Sequence, residues 1–132
     1  MHDSSGKATM TVTSRDLDSA LKTGCVNVLS TSILAALMEQ ACCNAIDTVC
    51  YICGQTSVGQ SMKLRHDRPS PIGANVTAHA KVTDVDQSGI TFEIEAYDEI
   101  GLVGQALHKR VFVNKDQFER KCYDVALSAK SL

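Results

Sequence analysis

The chain has no tryptophan, and only three phenylalanines and three tyrosines among its 132 residues. A core must therefore be assembled from Val, Ile, Leu, Ala, Met and Cys. No apolar run approaches the roughly 20 residues that a membrane-spanning helix needs, so no membrane partner is expected. The opening Met1-His2-Asp3-Ser4-Ser5-Gly6 has neither a basic region nor an apolar stretch, and no signal peptide is expected. Net charge is only −2, which gives no general attraction to nucleic acid or to an anionic membrane. Without repeats, low-complexity tracts or linkers, residues 1–132 read as a single domain with enough chain to bury a core.

Cysteine, in contrast, is plentiful, at Cys25, Cys42, Cys43, Cys50, Cys53 and Cys122. Cys42, Cys43 and Cys50 fall in or just after an apolar helical stretch, where cysteine behaves as a small hydrophobe. Cys50 and Cys53 have CxxC spacing, which suits half a zinc site or a redox pair. No second CxxC or HxxxH completes a zinc site, and a redox CxxC belongs at a helix start rather than a helix end. Packing cysteines are the reading favoured here, with no metal and no cofactor. Free thiols imply a reducing, cytoplasmic setting.

Charge is scarce where it matters most. Between Ser30 and Ile46 the only charged residue is Glu39. Leu34, Leu37, Met38, Ala41 and Ala45 recur at helical spacing, while Ala36, Gln40 and Cys43 take the other side. A helix so poor in charge is expected to be buried on most sides. A lone carboxylate on it needs an explanation, because burial among apolar groups disfavours the charged form; the alternative is a solvated Glu in mid-helix. Ser30, Thr31 and Ser32 are all capping types at its start.

Around this helix the chain reads mainly as strands. Lys7 to Thr13 alternates and is rich in β-branched residues. Asp16 to Leu21 suits a helical turn. The central helix is expected to continue to about Tyr51 and to stop by Gly54. Strands follow at Thr56 to Arg65, Asn75 to Val85, Ile90 to Asp98 and Leu102 to Asn114. Asp67 to Gly73 is a Pro-containing connection, and Asp86-Gln87-Ser88-Gly89 a hairpin turn in which Gly89 is free to take positive φ. Gln117 to Asp124 suits a short helix, with a loose tail to Leu132. One strand, one long helix and four antiparallel strands make an α+β pattern, with a curled antiparallel sheet wrapped around one long central helix.

At this point the chain resembles the hotdog-fold acyl-CoA thioesterases, and within them the fluoroacetyl-CoA thioesterase subgroup. The matching stretches are Val28-Leu29-Ser30-Thr31-Ser32 with Leu37-Met38-Glu39, then Thr56-Ser57-Val58-Gly59 leading to Leu64-Arg65-His66. Pro69-Ser70-Pro71-Ile72-Gly73, Ala96-Tyr97-Asp98-Glu99 and Gly104 with His108-Lys109-Arg110-Val111 complete the series. The resemblance implies Thr31, Glu39 and His66 as the catalytic set, coenzyme A as part of the substrate, and no metal. It also implies a homodimer or dimer of dimers with the cleft at the subunit interface. The family's namesake carries aromatic residues in the segment before the helix; Leu21 to Leu29 has none. Thioester hydrolysis of a small or medium acyl-CoA is therefore implied, without fluoroacetyl specificity.

The chemistry suits these residue types. A poised carboxylate at Glu39 can act as general base on water or attack the carbonyl, and His66 can move a proton. Thr31 could equally be only a cap. If Thr31 and Glu39 share one regular helix, about 12 Å along its axis separates them. Gly59, a lone glycine in a strand pattern, suits a bulge or the close approach of substrate. Arg65, Arg68, Lys109 and Arg110 are candidate partners for CoA phosphates. His108 and Arg110 share a strand face, one of them expected near the cleft rim. The competing readings are a non-catalytic acyl-CoA-binding module and a hydratase-like CoA enzyme. The hydratases of this fold usually carry an Asp and a His close together at the helix start, a pattern the sequence lacks.

Overall fold

The computed structural model describes residues 4–46 and 54–130. Strand β1 (Ser5–Thr11) leads through a 3-10 turn at Ser14–Asp16 into the one-turn helix α1 (Asp18–Leu21). The central helix α2 (Thr31–Ile46) follows, then β2 (Gln55–His66), β3 (Asn75–Val85), β4 (Gly89–Tyr97), β5 (Leu102–Asn114) and a terminal helix α3 (Lys115–Lys130). The five strands form one antiparallel sheet in the order β1-β3-β4-β5-β2, so β2 lies at an edge. This is the α+β hotdog architecture expected: a curled sheet packed against one central helix.

Alternation fixes which sheet face meets α2. Val76, Ala78, Ala80 and Val82 of β3, and Ile90, Phe92, Ile94 and Ala96 of β4, are buried, with charged or polar residues such as Lys81, Glu93 and Glu95 between them facing outward. Against them α2 sets Leu34, Leu37, Met38, Ala41, Cys42 and Ala45. Each large side chain buried here contributes about 1.5–3 kcal/mol. The small alanines on both sides let helix and sheet approach closely.

Four expectations need correction. The sheet covers one side of α2 only; Ala36, Gln40, Cys43 and Asn44 are exposed in the single chain, so the helix is not enclosed on most sides and Cys43 is not a packing cysteine. Gly89 is not at positive φ; a Cβ there would lie 2.0 Å from the Arg110 carbonyl oxygen, so the glycine permits β4 to pass close to β5. The first strand begins and ends two residues earlier than its alternation suggested. Helix α3 runs on to Lys130 without burying any residue, where the sequence suggested a short helix and a loose tail. The expected continuation of α2 to Tyr51, and Cys50 and Cys53, lie outside the described residues.

Cys42 is a packing residue as expected, its thiol pushed up to about 12 by burial against the opposing pull of Arg110. Among the described residues no helix is long and apolar enough to cross a membrane, and no cluster of metal-binding side chains occurs.

Candidate active site

The start of α2 is built so that Thr31 is spared from capping. Ser30 is fully buried, and its hydroxyl accepts the Ser32 N–H at 3.1 Å, which satisfies one of the free donors of the first turn. The Ser30 N–H donates to the Asp16 carbonyl at 2.8 Å, and Leu17 bridges to Leu29, so the chain entering the helix is clasped in place. Thr31 is thereby the first residue of the helix, and its hydroxyl is free for another partner.

That partner is His66. Thr31 Oγ1 and His66 Nδ1 share a hydrogen bond of 2.8 Å. Burial pulls the imidazole's pKa below its ordinary value, against the opposing pull of Asp18 and Asp67, so the ring is held toward its neutral form. Its Nε2 is buried without a hydrogen-bond partner among the described residues. A hollow of about 180 Å³ beside the pair is lined by Asp18, Val28, Thr31, His66 and Pro69.

A second polar cluster surrounds Glu39. Arg110 Nη1 donates to Glu39 Oε2 at 3.2 Å and to His108 Nε2 at 3.2 Å. The rest of the guanidinium is anchored on β2: Nε donates to the Ser57 hydroxyl at 2.9 Å and Nη2 to the Ser57 carbonyl at 3.2 Å. His108 Nδ1 lies 2.8 Å from the Ser61 carbonyl. Since guanidinium nitrogens only donate, Nε2 of His108 must accept, and Nδ1 must carry the ring proton toward Ser61. His108 is therefore neutral, in agreement with burial and the neighbouring Arg110 lowering its pKa. Its 3.7 Å approach to Glu39 is then no ion pair.

The apolar surroundings expected for Glu39 are not found. Its side chain is 45% exposed and faces the Arg110 guanidinium. A bulge in β2 makes room for it. The register with β5 shifts between Gly59 and Ser61, so that Ser57 and Gly59, then Met62, Leu64 and His66, all face α2 despite their change of parity. A Cβ at Gly59 would stand 2.7 Å from Glu39 Oε2 and 3.1 Å from His108 Cε1. Glycine is what lets the carboxylate lie against the strand.

The candidate residues thus fall into two groups within one chain. Thr31 and His66 meet at the start of α2, while Glu39, Gly59, His108 and Arg110 meet two turns further along it. Both His108 and Arg110 are buried, rather than one at a rim. Arg65 and Arg68 join neither group. Arg65 pairs with Asp67 at 3.2 Å in solvent and lines a groove of about 670 Å³ on the outer sheet face, with Lys63, Lys81, Glu93 and Glu95. Arg68 is engaged by Asp98 and by the carbonyls of Gly101 (2.9 Å) and Leu102 (3.3 Å). The residues that sequence reasoning missed are Ser57, which seats Arg110, and Asp98. Burial pushes the Asp98 carboxyl up, but hydrogen bonds from Arg68, Ile100 N–H, Ser70 and Gly101 N–H outweigh it and hold it at about 2. This network fixes the loop that follows His66.

The fluoroacetyl-CoA-specific thioesterase family model matches residues 8–116. The chain belongs to the fluoroacetyl-CoA-specific thioesterase family. The family match ends at the start of α3. The fluoroacetyl-CoA thioesterase of Streptantibioticus cattleyicolor is 27% identical over 94 residues, 71% of this chain and 67% of that protein. A Thermus thermophilus hypothetical protein, a thioesterase superfamily member, superposes with a TM-score of 0.90 at 20% identity, over 100% of this chain and 97% of the other. A solved structure of fluoroacetyl-CoA thioesterase gives 0.86 at 21% identity, over 94% and 96% of the two chains. A variant of that enzyme in complex with acetyl-CoA gives 0.87 at 20% identity, over 94% and 97%. These structural likenesses show a shared hotdog fold.

Proposed function

We propose that the protein hydrolyses a small or medium acyl-CoA thioester to the free acid and CoA, at a site completed by a second copy of the chain. The observation that carries this reading is the pair of preformed half-sites on α2. Thr31 and His66, which the resemblance implies as catalytic, are hydrogen-bonded at 2.8 Å, and Glu39, implied with them, is a carboxylate held by Arg110 at 3.2 Å. An acyl-CoA-binding module has no need of either arrangement.

Within one chain the half-sites stand about 12 Å apart along the helix axis, too far for shared chemistry. Strand β2 lies at the sheet edge and carries Gly59 near its middle and His66 at its end. Antiparallel pairing of β2 with the same strand of a second copy, about a two-fold axis near Lys63, sets Gly59 of one protomer opposite the partner's His66. Glu39 and Arg110 then face the partner's Thr31–His66 pair across one cleft, and the dimer holds two such clefts.

In this cleft Glu39 takes a proton from water as the water oxygen attacks the thioester carbonyl. The charge that develops on the carbonyl oxygen is met by the hydroxyl of Thr31, which His66 orients. The carbon–sulfur bond then breaks, and the proton held by Glu39 passes to the CoA thiolate, giving acid and thiol. A segment before α2 without aromatic residues leaves room for acyl groups other than fluoroacetyl.

Thiol release from a panel of short, aromatic and long acyl-CoAs tests the reading directly. Hydrolysis of at least one class is expected. Binding without release across the panel would instead identify an acyl-CoA-binding module.

A further inference from the structure

His108 is a buried titratable group that the mechanism above leaves without a task. It is 2% exposed, lies against the Phe92 ring with centroids 6.4 Å apart, and has partners on both ring nitrogens. The Ser61 carbonyl, next to the β2 bulge, receives the Nδ1 proton at 2.8 Å. Nε2 accepts from Arg110 Nη1, the same nitrogen that holds Glu39. The guanidinium is thus pinned at three points, with Ser57 below, His108 at the side and Glu39 ahead.

We propose that neutral His108 is a positioning residue, which aims Arg110 at Glu39 and, when protonated, loses its hold on Arg110 and grips Glu39 itself. This rests on Glu39 being the base of the site. Protonation would turn Nε2 from acceptor to donor, so that two N–H groups would point at each other across the present 3.2 Å contact with Arg110. The imidazolium would be drawn instead to Glu39 Oε2, now 3.7 Å away. A carboxylate gripped by a second cation is a weaker base. Acid would then slow the enzyme through His108.

The groups that face the ring are consistent with such a switch. Glu39 of α2 and the Ser61 carbonyl of β2 favour the protonated form. Burial and Arg110 oppose it and prevail, and Phe92 of β4 offers no charge. Cys42 of α2, close enough to Arg110 and Glu39 to feel both, stays a neutral thiol.

The test uses His108→Phe and His108→Gln. Phenylalanine keeps the ring volume but has no acceptor for Arg110. It should lower kcat by ~100-fold with KM within about twofold, the scale of a misplaced catalytic group. Glutamine can offer its amide oxygen where Nε2 was. It should recover most of the lost kcat, and its acid limb in the pH profile of kcat should fall to lower pH than that of the wild type. Wild-type kcat in the Phe variant, or identical acid limbs in the Gln variant and the wild type, would overturn the proposal. Nitrogen-15 shifts of the wild-type imidazole provide a readout that needs no turnover. An Nδ1–H tautomer at neutral pH is expected; an Nε2–H tautomer or an imidazolium would overturn the positioning role even if no thioester proves to be a substrate.

Discussion

Arg110 and Glu39 meet at 3.2 Å between strand β5 and the middle of α2, and only one of them is buried. The arginine comes from the inner face of β5, beside His108; the carboxylate is half in solvent. The pair therefore contributes little as a salt bridge. Its value lies in direction, because the seat on Ser57 fixes where the guanidinium can point.

Arg110→Met should accordingly separate stability from activity. It removes two hydrogen bonds to Ser57 and leaves Glu39 in contact with water, a loss of about 1–3 kcal/mol. Urea unfolding should show a folded protein with a lowered midpoint. Thiol release should fall by at least ~100-fold. A variant with normal turnover would show that Glu39 needs no guide.

Glu39→Gln should lower turnover by at least ~100-fold with the fold retained, the usual scale for a general base, and His66→Ala by at least ~100-fold through loss of the group that orients Thr31. Thr31→Val keeps the shape and loses the hydroxyl, and should fall similarly, whereas Thr31→Ser should retain most activity. Because Ser30 makes the cap, Thr31→Val should barely alter the melting temperature. A large drop in stability would mean that the hydroxyl serves the helix after all.

Much of this site was legible in the sequence, and the rest was hidden for definite reasons. The helix stripe and the alternation of Ile90 to Ala96 are local periodicities, and they survive in the fold. His108 and Arg110 could be placed on one strand face, but a charged strand residue normally faces water, so nothing in the spacing says that this face is the inner one. The parity change at Gly59 is likewise invisible: a glycine marks where a bulge can be, not that Ser57 and His66 end up on the same side. Arg68 looked like any basic residue at a strand end until Asp98, thirty residues on, arrived beside it. The length of α3 escaped because no residue of that helix is buried and its apolar positions carry no tertiary signal; the Lys115–Glu119 pair at 3.0 Å is the local kind of support it has.

Stability should depend on pH in two windows. His66 and His108 have folded pKa values below the ordinary 6.5, so the unfolded chain binds protons more readily. Stability from their neutral forms is complete above that value and is lost as pH falls below it toward the folded values. Asp98 has a folded value of about 2, below its ordinary 3.8. Its contribution is complete above about pH 4 and is lost as pH falls toward 2. Melting temperatures should thus decline in two stages on acidification. Asp98→Asn should be destabilised at pH 7 and converge on the wild type near pH 2; a constant gap would deny the Arg68–Asp98 network its role.

The composite cleft makes a prediction that no single-chain site can satisfy. Suppose Glu39 works with the partner's His66. Glu39→Gln and His66→Ala proteins, each inactive alone, should then regain activity when unfolded together and refolded as a mixture. A mixed dimer has one cleft that lacks both groups and one that is intact. With random reassortment about half of the dimers are mixed, so recovery should approach about one quarter of wild-type turnover per protomer. Sedimentation should show a dimer or a multiple of it at micromolar concentration. If Glu39 and His66 of the same chain served one cleft instead, every cleft in the mixture would lack one group, and no activity would return.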